Sequence, residues 1–219
     1  AEAVVSHGAD VGICLDGDAD RIILIDSDGN IADGDQIMAV IASRWSEDGL
    51  LTGSGIATTV MSNLGLELFL NQRGISMERT QVGDRYVVEC MRKSGFNLGG
   101  EQSGHIILSD FSTTGDGLIA GLQFLAEIIR SERSSKELAR VFEPVPQLLK
   151  NAPYEAGSDP LAKPNVIKAI KEAEAKLKNN GRLLIRKSGT ESLIRVMAES
   201  EDEEKMNVAV DSVVTEITA

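Results

Sequence analysis

The sequence has little with which to staple or embed itself. Its 219 residues hold two cysteines, Cys14 and Cys90, far apart and each inside an apolar stretch. That excludes a disulfide scaffold and a cysteine metal pair, and it reads as two buried free thiols in a reducing compartment such as the cytoplasm. No uninterrupted apolar run approaches the roughly 18 residues that cross a bilayer, so no membrane span is expected. The opening Ala1-Glu2-Ala3 shows no basic-then-apolar targeting segment. Basic residues are the minority, 22 against 34 acidic, and the resulting net charge of −12 repels phosphate backbones, which argues against a nucleic-acid partner. Proline is missing from almost the whole chain.

What is present is an ordinary globular composition, 42% hydrophobic and 26% charged, long enough for one large or two modest domains. Charge is unevenly spread. Residues 1–35 hold nine Asp and Glu against the single Arg21, and residues 165–195 hold eight Lys and Arg against three Glu. An acidic head and a basic late segment would suit a metal at one end and an anion at the other; plain surface scatter is the competing reading.

All five prolines (Pro144, Pro146, Pro153, Pro160, Pro164) fall in one window, which reads as a linker and the irregular start of a second domain, with a boundary near Phe142–Pro146. Before it, short apolar runs at 11–15, 22–25, 56–60, 76–82, 97–100 and 105–108 predict strands. They alternate with helical patterns at 36–45, 64–72, 85–93 and 116–130. That rhythm predicts a mixed βαβ sheet flanked by helices. After the window, helices at 165–179 and 202–217 and strands at 182–186 and 193–199 predict a small α+β domain built on two strands.

The densest chemical signal is Asp16-Gly17-Asp18-Ala19-Asp20-Arg21, directly after a predicted strand. Three carboxylates at i, i+2 and i+4 on a tight turn aim their oxygens at one place, and a hard divalent cation, Mg²⁺, resolves their repulsion. An EF-hand loop would need Gly sixth and Glu twelfth, where Arg21 and Ser27 stand. A phosphatase with an aspartyl nucleophile usually places Thr or Val fifth, where this chain has Asp20. A plain acidic turn is the bland alternative. With the cation reading, Arg21 stands ready to hold a phosphoryl oxygen.

Three further loops carry polar residues. Arg186-Lys187-Ser188-Gly189-Thr190-Glu191 lies between two strands; its amides, hydroxyls and basic side chains suit a phosphate, and Arg195 joins them if the register brings it to the same face. Gly100-Glu101-Gln102-Ser103-Gly104-His105 offers Glu101, Ser103 and His105 to sugar hydroxyls or an amine, unless it is only a Gly-rich bulge. Val82-Gly83-Asp84-Arg85 opens a helix, and Asp84 reads equally as an N-cap or a functional group. Ser6-His7 looks like a nucleophile and its base, but adjacent residues are expected to point in different directions.

In order and spacing, the loops 16–21, 100–105 and 186–191 resemble those of the α-D-phosphohexomutases, and Val82-Gly83-Asp84-Arg85-Tyr86-Val87 resembles the glucosamine-phosphate branch of that family. The resemblance covers essentially the whole chain but only the C-terminal half of the family's four domains. It implies that residues 1–33 are the tail of domain 2 with the metal loop, 34–142 the α/β sugar-binding domain 3, and 145–219 the α+β phosphate-binding domain 4. The family's phosphoserine loop, of T-A-S-H-N-P type, has no counterpart, since Gly8-Ala9 follows Ser6-His7 where Asn-Pro should stand.

The implied chemistry is an isomerase that interconverts glucosamine 6-phosphate and glucosamine 1-phosphate through a phosphoserine and a bisphosphate, feeding UDP-N-acetylglucosamine synthesis. This stretch alone would not turn over. By resemblance, Asp16, Asp18 and Asp20 would bind Mg²⁺, and Glu101, Ser103 and His105 would meet the sugar. Arg186, Ser188, Gly189, Thr190 and Arg195 would grip the idle phosphate, and Arg21, Asp84 and Arg85 would be the catalytic candidates. The expected partner is a hexosamine phosphate, with no nucleic acid or membrane. An edge strand left unpaired would invite self-association into a homodimer. Two rivals stay open: a sugar-phosphate binding module without turnover, and a sister mutase of glucose or mannose phosphates.

Overall fold

The computed structural model describes residues 1–155, 157–178, 181–188 and 191–219. They form two compact units, Ala1–Glu143 and Pro144–Ala219. The first unit begins with a short helix α1 (Glu2–His7) and an antiparallel sheet of β1 (Val11–Leu15), β2 (Ile22–Asp26) and β3 (Ile31–Ala32), in the order β1-β2-β3. Helix α2 (Gly34–Glu47) follows, started by Asp33, whose carboxylate accepts from the Gln36 amide. Then come β4 (Gly55–Thr59), α3 (Leu64–Asn71), β5 (Ser76–Thr80), α4 (Asp84–Ser94), β6 (Leu98–Gly100), β7 (Ile106–Leu108), α5 (Gly117–Ser131) and the short α6 (Ser135–Leu138). Strands β5, β4 and β6 run parallel and β7 antiparallel, in the order β5-β4-β6-β7, so the sheet is mixed and flanked by helices as the alternating pattern predicts.

Helix α2 is nearly all core. Ile37, Met38, Ile41 and Trp45 are buried against Ile22 and Leu24 of β2, Ile56 of β4, Leu98 of β6, Ile106 of β7 and Phe124 of α5. Burying side chains of this size is the main stabilising term, of order 1.5–3 kcal/mol each. Because α2 packs against α3, α5, β3 and β6, its first turn is a fixed platform for the loops that lie against it.

The second unit contains β8 (Gln147–Pro153), α7 (Pro164–Leu177), β9 (Gly181–Lys187), β10 (Leu193–Ser200) and α8 (Glu203–Thr218). Its sheet has the order β8-β10-β9, antiparallel throughout, and both helices pack on it through Val166, Ala173, Ile194, Val196, Ala209 and Val213. This is the expected α+β architecture, with one correction: the sheet has a third strand, β8, inside the proline-rich window. The prolines flank it instead of breaking it. Pro146 precedes the strand, Pro153 is its last residue, and an edge strand tolerates the missing donor.

Two further expectations fail. Cys14 is exposed, because β1 is an edge strand with Ile13, Cys14 and Leu15 all open to solvent, and Cys90 is half-buried on α4, its thiol 3.3 Å from Glu78 Oε2. Burial, and then the Glu78 carboxylate, push the Cys90 pKa up. Ser6 and His7 do meet, with Oγ 3.2 Å from Nδ1. The same Nδ1 lies 2.9 Å from the Ala3 carbonyl, which makes it a donor and leaves the serine without a base.

Candidate functional site

The loop between β1 and β2 is a tight turn closed by the Ala19 amide on the Asp16 carbonyl, 3.3 Å. Ala19 takes a left-handed conformation (φ 58°), and its carbonyl is pinned by the Gly117 amide at 2.9 Å. The turn brings one oxygen each of Asp16, Asp18 and Asp20 within 4.8 Å of one another. Asp16 and Asp20 are half-buried, while Asp18 is exposed and has no hydrogen bond or ion pair among the described residues.

Arg21 answers part of this negative charge. Its Nε lies 2.8 Å from Asp16 Oδ2 and 3.6 Å from Asp20 Oδ1, and its amide donates to Asp16 Oδ1 at 3.2 Å. Desolvation pushes the Asp16 carboxyl up, but the Arg21 amide and guanidinium outweigh it and hold the pKa below the ordinary carboxylate value. The guanidinium is raised in turn by its bond to Asp16. On the other side, His105 Nδ1 is 3.2 Å from Asp20 Oδ2. Among the described residues, Asp20 Oδ1 is buried without a hydrogen-bond donor and His105 Nε2 without a partner. A buried carboxylate oxygen with no donor, in an all-oxygen cluster, has the donor set of a hard divalent cation.

The Glu101–His105 loop is the turn between β6 and β7, closed by Gly104 N on the Glu101 carbonyl (3.0 Å) and Glu101 N on the His105 carbonyl (2.9 Å). Two contacts fix it to the acidic loop and to α2. Ile22 N donates to the Gly104 carbonyl at 3.1 Å, and Gly34 N donates to the Gln102 carbonyl at 3.0 Å. Gly104 must be glycine: its φ is +94°, and a Cβ would stand 2.0 Å from the Ile22 carbonyl oxygen. Sequence spacing says nothing of these contacts, yet they join residues 82 and 68 positions apart.

Glu101 and Ser103 face each other, with Oγ 3.2 Å from Oε2. The other Glu101 oxygen accepts from Gly83 N at 3.0 Å and so ties in the fourth polar loop. There Gly83, not Asp84, is the N-cap of α4, and Asp84 is the first helical residue, its Oδ1 accepting from the Arg85 amide. Arg85 lies along α4, 3.3 Å from Glu89 and above the Tyr86 ring, largely exposed. The loops at 16–21, 82–85 and 100–105 are thereby contiguous within the first unit.

The second unit presents the basic candidates by register. Arg195 on β10 stands directly opposite Arg186 on β9, and Asn151 on β8 lies on its other side. Cross-strand partners share a face, so both guanidiniums project from one side of the sheet. Ser188 N donates to the Leu193 carbonyl at 2.8 Å, which sets the strand-to-turn exit; Gly189 and Thr190 lie outside the described residues. Lys187 departs from its expected role. It alternates to the other face and pairs with Asp159 at 2.9 Å, a contact that raises its pKa.

Asp33 and Asp35 were not visible as site residues in the sequence. Asp35 is buried on the first turn of α2, its Oδ2 accepting from Asn63 N at 2.8 Å. Burial pushes its pKa to about 7, against the Asn63 amide and with help from neighbouring Asp33. The only sequence signal was an Asp-Gly-Asp at a helix start, which reads as capping.

A family model for the phosphoglucomutase/phosphomannomutase alpha/beta/alpha domain III matches residues 33–145, and the model for the C-terminal domain of the same family matches residues 149–216. The chain is 67% identical over 219 residues to the phosphoglucosamine mutase of Ruegeria sp. (strain TM1040), covering 100% of this chain and 49% of that protein. It is 61% identical over 219 residues to the phosphoglucosamine mutase of Dinoroseobacter shibae, with coverage of 100% and 49%. The chain therefore spans about half the length of the curated relatives it matches. Among solved structures, the Aspergillus fumigatus N-acetylphosphoglucosamine mutase in complex with GlcNAc-6P and magnesium superposes with a TM-score of 0.74 at 21% identity, over 94% of this chain and 48% of that one. A phosphoglucomutase/phosphomannomutase family protein of Burkholderia thailandensis gives 0.74 at 20% identity, over 98% and 48%. At those identities the likeness is one of fold.

Proposed function

The chain belongs to the phosphoglucomutase/phosphomannomutase family, and from that premise we propose that it is the C-terminal half of a phosphoglucosamine mutase. The reaction interconverts glucosamine 6-phosphate and glucosamine 1-phosphate. The sugar O1 attacks the phosphorus of a phosphoserine, whose ester bond breaks, and a bisphosphate forms. The freed serine oxygen then takes the 6-phosphoryl group. In this reading the serine belongs to the part of the relatives that lies outside these 219 residues. Residues 1–33 supply the metal loop, 34–142 the sugar-binding domain and 145–219 the phosphate-binding domain.

The observation that carries the reading is the convergence of Asp16, Asp18 and Asp20 within 4.8 Å, with Arg21 beside them. These residues fit Mg²⁺, which when bound supplies positive charge to the transferring phosphoryl oxygens. Arg21 contributes a second cation at the same place. Glu101, Ser103 and His105 meet the sugar, and His105 also holds Asp20 in position. Arg186 and Arg195, with Ser188, Gly189 and Thr190, hold the phosphate that is not reacting. Asp84 and Arg85 stand at the edge of the sugar loop as catalytic candidates.

The amino-sugar assignment rests on the relatives' names and on the Gly83-Asp84-Arg85 loop. No helix among the described residues is long and apolar enough to cross a membrane. Together with two unbridged cysteines, that fits a cytoplasmic enzyme. A homodimer would pair through an exposed edge strand.

A ³¹P NMR titration tests the reading. With Mg²⁺ present, the chain should broaden the glucosamine 6-phosphate resonance, and Arg186→Ala should clearly reduce the broadening; glucosamine 1-phosphate should grow only when the N-terminal half of a relative is added. Absence of broadening by the wild-type chain would sink the proposal. Equal broadening of glucose 6-phosphate would overturn the amino-sugar assignment.

A further inference from the structure

Helix α4 starts badly by its own means. Its N-cap is Gly83, which has no side chain to accept from the first-turn amides, and no side-chain capping bond is made there. In a capping box the residue three positions on would reach back to the N-cap amide with a carboxylate, but that residue here is Tyr86. The missing acceptor comes from another element. Glu101 Oε1, 18 residues along the chain, takes the Gly83 amide at 3.0 Å, while its Oε2 meets the Ser103 hydroxyl at 3.2 Å. Gly83 sits at φ 129°, a conformation that aims its amide out of the helix and that a side chain would strain.

Glu101 therefore has two jobs. We propose that it is a positioning residue that borrows the role of a helix cap, coupling what binds at the Glu101–Ser103 loop to the placement of Asp84 and Arg85. This deepens the functional reading above and rests on it for the identity of the ligand. An ionised carboxylate has about four acceptor sites and no donors. Two of those sites are taken by Gly83 N–H and Ser103 O–H, and a polyhydroxylated or aminated sugar that donates to the remaining ones shares the same two oxygens and draws the carboxylate towards itself. Any loosening of the Gly83 bond frees the first turn of α4, since the Tyr86 and Val87 amides both bond back to the Gly83 carbonyl. Arg85, whose guanidinium has among the described residues only the exposed contacts to Glu89 and Tyr86, can then swing. The opposite face of the loop does not yield, because Gly34 and Ile22 hold it by backbone bonds. A signal at Glu101 is thus directed toward α4.

Amide-resolved NMR of the 219-residue chain tests this in two arms. Without ligand, Glu101→Ala should speed hydrogen exchange at Gly83 about tenfold, as loss of a charge-assisted bond predicts. The core amides of Ile56 and Leu98 should keep their rates, which separates the effect from unfolding. Glu101→Gln, which retains an acceptor and the side-chain volume, should give an intermediate rate and serves if the alanine variant does not fold. Unchanged exchange at Gly83 in both variants overturns the positioning role.

With ligand, glucosamine 6-phosphate should shift the amides of Glu101, Ser103, Gly83, Asp84 and Arg85 together, while inorganic phosphate leaves Gly83–Arg85 in place. Shifts at Glu101 and Ser103 that stop short of Gly83 overturn the coupling and leave the functional reading standing. No shift at Glu101 with glucosamine 6-phosphate overturns the functional reading and the coupling with it. The ligand-free exchange decides the positioning role in either case.

Discussion

Asp16, Asp18 and Asp20 sit on one tight turn, whereas Arg186 and Arg195 sit on two strands, and the two like-charged groups are held together by different means. The carboxylates are brought within 4.8 Å by local chain geometry, with Arg21 and His105 taking part of the charge. The guanidiniums are opposed by register alone, with no ion pair to either among the described residues. Like charges directly opposite across strands oppose pairing. In both units the protein assembles charge that it does not fully neutralise, and the uncompensated remainder is what a ligand answers. The turn is fixed by side contacts that a point substitution can remove. The pair of arginines is fixed by a ladder that only a slipped strand would disturb.

The difference is broken most severely at Gly104. Gly104→Ala puts a Cβ 2.0 Å from the Ile22 carbonyl in a left-handed backbone conformation, so the β6–β7 turn must leave the acidic loop. We expect a loss of about 3 kcal/mol or more in urea unfolding, at the upper end for overpacking combined with backbone strain. A change below about 0.5 kcal/mol, the range of indifferent surface positions, would show that the loop is not held there.

Burial of charge without a close cation sharpens the contrast next. Asp35 lies within the first unit beside Asp33 on its own helix, facing the Ser62–Asn63 turn and, more distantly, Arg79, which is itself paired with Glu67. Its pKa rises from the ordinary 3.8 to about 7. The folded state therefore holds the proton more tightly than the unfolded chain. Its stability is full below about pH 4 and declines as pH rises toward 7, by at most about 4 kcal/mol and, with relaxation, nearer 2. Asp35→Asn should flatten that decline, so that the variant is the more stable chain at pH 8 and gains nothing at pH 4. Parallel stability–pH curves for the two would refute it. In the second unit the buried Glu199 is paired with Arg182 instead.

The sequence was most legible where chemistry and local geometry coincide. Three carboxylates at alternate positions after an apolar strand can scarcely avoid one another, so the Asp16–Asp20 cluster follows from spacing. The alternation of apolar runs with helical patterns likewise announced the mixed sheet, since α2 and β4 each bury whole stretches of side chains. Legibility failed where tertiary contacts outrank local signals. Prolines in the 144–164 window suggested irregular chain, but an edge position let β8 form between them. Cys14 sits in an apolar stretch and is exposed because, among the described residues, its strand has no neighbour on one side. The Glu101–Gly83 bond and the buried Asp35 have no local signature, because each depends on which turn the fold brings alongside.

A smaller effect separates the three carboxylates themselves. Asp18 is the exposed member and holds nothing in the fold, while Asp16 anchors Arg21. Asp18→Asn should weaken Mg²⁺ binding in calorimetric titration by at least about tenfold while leaving urea unfolding unchanged; losing one of three charged ligands accounts for an effect of that size. Asp16→Asn should weaken binding and lower stability together. Equal Mg²⁺ affinity in wild type and Asp18→Asn would show that the turn is only an acidic surface.

The finest distinction lies in the arginine pair, and a double-mutant cycle reads it. Arg186→Ala and Arg195→Ala should each weaken glucosamine 6-phosphate binding about tenfold, the order of a charge-assisted bond to phosphate. If both guanidiniums hold one phosphate, the double variant should lose less than the product of the two single losses, because the second removal finds the phosphate already loosened. Removing either charge should at the same time slightly stabilise the β9–β10 ladder by relieving repulsion between direct cross-strand partners. Weakened binding and a firmer ladder in the same variant would mark a pair assembled for an anion against the preference of the sheet. Strictly multiplicative binding losses with an unchanged ladder would mean that the two arginines are independent surface charges sharing only a register.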